Sequence, residues 1–239
     1  RLVFSLGLLN PGGWFILEHT PRNDYKKTPH YRTERNYGTT IFCELLSAAG
    51  GLPVNNFRRS GLDDTTPVSG DTYNRVLLKK RTGCYACPIQ CKRGIALDDP
   101  KYGVDSRYGG PEYETMAALG TNLNILDLKA IAKGNEVCNR YCMDTISMGM
   151  TIAFACECFE KNIITRSDTD GLELTWGNTE AIVTLIKKMI KREGIGDLLA
   201  DGTKAAAKKI GKGSMEFAIQ AGGQEPAMHD GRNDPGFNV

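Results

Sequence analysis

The sequence predicts a mainly α-helical fold, on three observations. Acidic, Asn or Thr residues recur just ahead of apolar runs, with Gly after them, which is the pattern of helix starts and stops. The clearest apolar run follows a 3.6-residue period, not alternation. Strand signals are few, Met215 to Ile219 being one candidate.

In chain order, residues 1–36 carry prolines at 11, 21 and 29 and many charges, and no regular element is predicted there. Thr39 to Ala49 reads as a short amphipathic helix stopped by Gly50, Gly51 and Pro53. Residues 52–75, rich in Asn, Asp, Thr and Gly, read as loop. Pro111-Glu-Tyr-Glu-Thr opens a helix, with Pro in the first turn and acids at the positive end of the macrodipole. Asp127 caps a helix reaching about Tyr141, and Asp144 or Thr145 caps another through Lys161. Asn178 or Thr179 opens a helix whose Ile182, Val183, Leu185, Ile186, Met189 and Ile190 form one apolar face ending at Gly194. Asp197 caps the last helix, which stops at Gly211. These elements divide the chain into an irregular segment 1–36, a helical unit 37–165 and a second helical unit 166–239.

Charge narrows the function. Thirty Lys and Arg against 28 Asp and Glu leave a net charge of +2, without the basic stripe that nucleic-acid binding needs. The early apolar stretch Leu2 to Leu9 is cut by Asn10-Pro11-Gly12-Gly13, too short to span a bilayer and without a small-residue cleavage site. A soluble, unexported, cytoplasmic protein is expected, with no membrane or nucleic-acid partner.

Of the eight cysteines, three fall in Arg81-Thr-Gly-Cys-Tyr-Ala-Cys-Pro-Ile-Gln-Cys. The chain is too long and ordinary for a disulfide scaffold, and the clustering favours a reducing compartment. A lone cysteine such as Cys43 is expected to be a small core residue. A zinc site would want a second close pair, and Cys138 has only Cys142 near it. A thioredoxin-like pair would want a βαβ setting. An iron–sulfur cluster fits Cys84, Cys87 and Cys91 better: gaps of two and three residues on one loop, stiffened by Pro88, can give three thiolates to a compact cluster. The order opposes that of radical enzymes cleaving S-adenosylmethionine.

The neighbouring motifs carry a resemblance. Tyr37-Gly-Thr-Thr, Gly50-Gly-Leu-Pro-Val-Asn-Asn-Phe, Gly83-Cys-Tyr-Ala-Cys-Pro-Ile-Gln-Cys, Gly110-Pro-Glu-Tyr-Glu-Thr and Ala118-Leu-Gly stand in that order. Asn139-Arg-Tyr-Cys-Met-Asp-Thr-Ile-Ser, Arg192-Glu-Gly-Ile-Gly-Asp-Leu-Leu-Ala and Pro226-Ala-Met-His-Asp-Gly-Arg follow. Over residues 37–239 the chain resembles the tungsten-dependent aldehyde:ferredoxin oxidoreductase family. The resemblance implies the helical central domains of that fold, without its N-terminal β domain and truncated at the C-terminus, as a fragment or a split subunit.

It also implies cofactors and roles. Family members hold tungsten, or molybdenum, between two pterins, beside a 4Fe–4S cluster that passes electrons to ferredoxin or an electron-transfer subunit. Cys84, Cys87 and Cys91 match three cluster ligands; the fourth family cysteine has no counterpart after Cys158. Asn139 to Asp144 matches a pterin motif, with Cys142 in place of its glycine and Met143 in place of its leucine. Tungsten-containing benzoyl-CoA reductases resemble this case, so Cys142 is either a thiolate for the metal or a packed thiol. Asp144 is a pterin ligand, a helix cap, or both. Glu114 and His229 match the family's acid and imidazole near the metal, with Glu112 a competing choice. The expected reaction is aldehyde oxidation to carboxylic acid. Reduction of an aromatic acyl-CoA and a non-catalytic iron–sulfur carrier are the alternatives, and association with the absent domains or other chains is expected.

Overall fold

In a computed structural model the structure describes residues 29–233. The expectation for the first 28 residues lies outside that range.

The fold is helical, as the caps and periodicity predict, and is centred on one buried helix. Asp144 starts α6 (Thr145–Glu160) by accepting from the amides of Ile146 and Ser147 at 3.2 and 3.0 Å. Every residue from Met148 to Cys158 is buried, so this helix needs cover on every side. α4 (Tyr113–Ala118), α5 (Leu128–Arg140), α7 (Thr179–Lys191) and α9 (Thr203–Ile210) supply it. Asp127 caps α5 through the amides of Lys129 and Ala130, and Asn178 caps α7 through Ala181. Ile182, Leu185, Ile186 and Met189 are buried as the spacing predicts. No single helix among the described residues is long and apolar enough to cross a membrane.

The helices α4 and α6 cross at Gly149, where a Cβ would stand 2.3 Å from the Ala118 carbonyl oxygen. That contact is backbone and cannot swing away, so Gly149→Ala must push the helices apart. The expected loss is about 1–3 kcal/mol of unfolding free energy in a denaturant titration. A melt unchanged from wild type would show that the crossing has slack.

Several local expectations are corrected. Residues 29–37 form α1 (Pro29–Tyr37), within the segment read as irregular. The helix expected at Thr39 to Ala49 is split into a 3₁₀ turn, Gly38–Ile41, and α2 (Phe42–Ala48). The loop-like region 52–75 holds the two-residue strands β1 (Pro53–Val54) and β2 (Arg59–Ser60), and the start of α3 (Gly70–Val76). Ser69 caps α3, its hydroxyl accepting from the Thr72 amide at 3.2 Å. β3 (Leu78–Thr82) and β4 (Lys92–Ile95) pair antiparallel and carry the cysteine loop between them.

Near the C-terminus, α7 ends at Lys191, because Arg192 turns left-handed at φ 54°. Asp197 caps nothing: it lies inside α8 (Ile195–Leu199), and its carboxylate takes Arg192 Nη1 at 3.0 Å. Met215 to Ile219 is not a strand. Gly211 and Gly213, both with positive φ, wind the chain into a 3₁₀ turn, Ser214–Phe217, and Ser214 Oγ donates to the Ala207 carbonyl at 3.0 Å.

Candidate functional site

The first turn of α4 joins three groups of residues that are distant in sequence. Its Glu112, Glu114 and Thr115 face different neighbours, and each neighbour carries residues singled out from the sequence.

Glu114 meets the C-terminal segment. His229 Nε2 lies 3.0 Å from Glu114 Oε1, and the Met228 amide donates to Glu114 Oε2 at 2.8 Å. Both side chains of the pair are about 30% exposed (31% and 30%), so water reaches them. The Tyr113 ring packs against the His229 ring at 5.4 Å between centroids, and the Tyr113 hydroxyl donates to the Met228 carbonyl. His229 walls a cleft of about 510 Å³ with Phe57, Ile219, Pro226 and Arg232. The segment is pinned by Asp230, whose amide donates to the Gly51 carbonyl at 2.9 Å. Arg232 grips the Asp230 carboxylate at 2.8 and 2.5 Å and holds its pKa down to about 2.

Glu112 occupies the N-cap position of α4 without capping it. Thr39 does that work: its hydroxyl donates to Glu112 and accepts from the Tyr113 amide at 3.0 Å. The negative charge of Glu112 acts on Cys91 across the gap to the cysteine loop. Burial first, and Glu112 second, push the Cys91 thiol above its ordinary value.

The cysteine loop, residues 83–91, closes the β3–β4 hairpin. Ala86 and Gln90 take positive φ (55° and 54°), and the Cys87 amide donates to the Cys84 carbonyl at 3.1 Å. Helix α1 clamps the loop: Tyr31 Oη and Arg35 Nη1 both donate to the Pro88 carbonyl, at 3.0 and 2.9 Å. Cys84 is exposed, and Cys87 and Cys91 are half-buried. The hairpin carries Lys79, Lys80, Arg81, Lys92 and Arg93 and no acid, a cationic frame suited to an anionic thiolate-bound group. Among the described residues, no three His, Cys, Asp or Glu side chains already converge on a point that would hold a metal ion. Three soft thiols on one short, clamped loop nevertheless match the donor chemistry of an iron–sulfur cluster.

Thr115 leads to the third group. Its hydroxyl lies 2.8 Å from that of Thr145, next to Asp144 at the elbow between α5 and α6. Asn139, Cys142 and Asp144 are all exposed on this elbow. Asn139 Nδ2 donates to the Tyr108 carbonyl at 3.0 Å. Asp144, while capping α6, also lines a cleft of about 240 Å³ with Met143, Ser147, Met148 and Glu225. Cys142 adopts φ 56°, the left-handed region that favours glycine. That explains physically why a glycine is favoured at this turn.

The remaining thiols are structural. All eight cysteines are free, and Cys43, Cys138, Cys156 and Cys158 are buried. Burial pushes the Cys43 and Cys138 thiols up to about 12, which leaves them inert near neutrality. Sequence reasoning missed Thr39 and Arg93 as site residues, although Tyr37-Gly-Thr-Thr and the Lys-Arg pair after Cys91 were visible signals.

Comparisons with known proteins follow the same residues. The family model described as aldehyde ferredoxin oxidoreductase, domains 2 and 3, matches residues 18–239. The tungsten-containing aldehyde ferredoxin oxidoreductase of Pyrococcus furiosus is 37% identical over 185 residues, covering 77% of this chain and 30% of that protein. The aliphatic sulfonate oxidoreductase WOR-like subunit of the same organism is 30% identical over 213 residues, covering 83% of this chain and 34% of its own length. Among solved structures, the active-site complex BamBC of benzoyl-coenzyme A reductase, bound to 1,5-dienoyl-CoA, superposes with a TM-score of 0.61 at 26% identity. That match covers 79% of this chain and 27% of the other. The chain thus spans about a third of the length of its curated relatives (30% and 34%).

Proposed function

The chain belongs to the aldehyde ferredoxin oxidoreductase family, and on that premise we propose that it forms part of a tungsten or molybdenum pterin enzyme that oxidises aldehydes to carboxylic acids. The observation that carries this reading is the Glu114–His229 contact at 3.0 Å, made beside a cleft by residues from opposite parts of the chain. Aldehyde and water become acid with release of two protons and two electrons. When bound, the metal pterin would supply oxygen-transfer and electron-accepting chemistry, and a 4Fe–4S cluster would supply one-electron transfer to ferredoxin or an electron-transfer subunit.

The protein's own residues supply proton handling and placement. Glu114 holds its Oε2 fixed on the Met228 amide and keeps Oε1 on His229. A carboxylate so oriented can take a proton at Oε1, and the imidazole beside it can orient a carbonyl oxygen. Cys84, Cys87 and Cys91 would hold the cluster. Asn139 and Asp144 would face the polar edge of a pterin, where an amide and a carboxylate can match its donors and acceptors.

Metal analysis of anaerobically purified protein tests the reading. Tungsten or molybdenum together with iron, and aldehyde-dependent reduction of a one-electron acceptor, are expected. Iron alone without such activity would leave only an electron carrier.

Cys142 favours a second reading, a tungsten-dependent reductase of aromatic acyl-CoA thioesters. An exposed thiol held in a left-handed turn carries a backbone cost of roughly 1 kcal/mol that glycine would avoid. Cys142→Gly is expected to raise stability by about that amount in a denaturant melt. If Cys142 also binds the metal, X-ray absorption will count one metal–sulfur bond fewer in the variant. The structure exposes Cys142 and so corrects the packed-thiol alternative; an unchanged count would leave it a surface thiol at the turn and favour aldehyde oxidation.

A further inference from the structure

Arg93 lies two residues after Cys91 on β4 and is 3% exposed. Its guanidinium packs against Gly38, where a Cβ would stand 2.8 Å from Arg93 Nε and 2.7 Å from the Cys91 carbonyl oxygen. Only one of its three nitrogens is satisfied. Nη2 donates to the carbonyls of Glu34 and Arg35 at 3.1 and 3.0 Å, whereas Nε and Nη1 are buried and have no acceptor among the described residues.

Leaving such donors unpaired is unfavourable, at roughly 1–3 kcal/mol each and more for a charged group. The register adds to the cost, because Arg81 is the cross-strand partner of Arg93, and like charges so placed repel. Glu112, the nearby carboxylate, is engaged by Thr39 instead. A buried cation with two open N–H-bearing nitrogens, two residues after the third cysteine of the loop, has no anion in hydrogen-bond reach of them among the described residues.

We propose that Arg93 is a positioning residue for the iron–sulfur cluster, its Nε and Nη1 donating to the anionic sulfur of a cluster held by Cys84, Cys87 and Cys91. This rests on the cluster assignment made above. One-electron reduction adds one negative charge to the cluster. A guanidinium in the low dielectric of the interior stabilises that charge more than the water-exposed Lys79, Lys80 and Lys92 can. Hydrogen bonds to cluster sulfurs act in the same direction. Arg93 therefore raises the cluster's reduction potential. The competing account is structural: Arg93 merely ties down the carbonyls at the end of α1.

Potentiometric titration of the anaerobically purified holoprotein, followed by electron paramagnetic resonance, separates the two. Arg93→Met is expected to keep its iron but titrate at more negative potential. At the wild-type midpoint, its reduced-to-oxidised ratio should fall by about tenfold or more. Arg93→Lys, which keeps the charge but loses the planar fork, should shift less and alter the resonance line shape. Lys208→Gln, an exposed control on α9 away from the cysteine loop, should stay within about twofold. If Arg93→Met does not fold, Arg93→Lys carries the test alone. A wild-type potential and line shape in the variants, with only a lowered melting temperature, would overturn the proposal and leave a structural arginine. Wild-type protein that binds zinc and no iron would instead overturn the cluster assignment itself, and this proposal with it.

Discussion

Cys87→Ser is expected to abolish the proposed iron–sulfur cluster while leaving the helical core intact. Cys87 is the middle of three thiols on a loop whose ends are fixed by the β3–β4 ladder and whose Pro88 carbonyl is clamped by α1. A serine oxygen is a poor substitute for a soft thiolate on iron. Wild-type holoprotein should carry about four irons per cluster and a broad visible absorption that bleaches on reduction. The variant should lose both. The largely exposed loop lies outside the packing around α6, so the far-ultraviolet circular dichroism should remain that of wild type. Stoichiometric zinc in wild type, or full iron content in the variant, would exclude this cysteine set.

Glu114→Gln carries the largest expected effect on turnover. The amide is nearly isosteric and can still accept from the Met228 amide, so the C-terminal segment should stay docked. It cannot take up a proton at the atom facing His229. Turnover with an aldehyde is expected to fall by about 10²–10⁴-fold. Glu112→Gln is the matched control, since that side chain engages Thr39. Turnover within about twofold of wild type in Glu114→Gln would mean that the Glu114–His229 contact is only a tether.

The helices were legible because their signals are local. Asp127, Asp144 and Asn178 each cap the helix they precede, and the Leu185 face has no competing period. The β3–β4 hairpin was not legible: Leu78-Lys-Lys-Arg-Thr is one apolar residue followed by exposed cations, so its only strand evidence is the ladder it makes with a segment beyond the cysteines. Asp197 failed as a cap because a nearby Arg192 in a left-handed turn offered its carboxylate a better partner. Glu114 and His229 were legible as motif positions, yet nothing local joins them. The same holds for Arg93, whose unmet donors appear only once Gly38 packs against it.

The tether between the C-terminal segment and the front of the chain also sets an order of assembly. Glu114 reaches 114 residues ahead to Met228, Ser60 reaches 170 to Asp230, and Phe57 and Gly50 are joined to Arg232 and Asn233 across 175 and 183. Closing loops of that length costs entropy that local helix contacts never face. During synthesis, the packing around α6 can form from residues already made, whereas His229 has no place to dock until the last of them is in position. Glu114 consequently acquires His229 as its partner only after the helices between them have packed, so this contact reports on the order in which the described residues assemble.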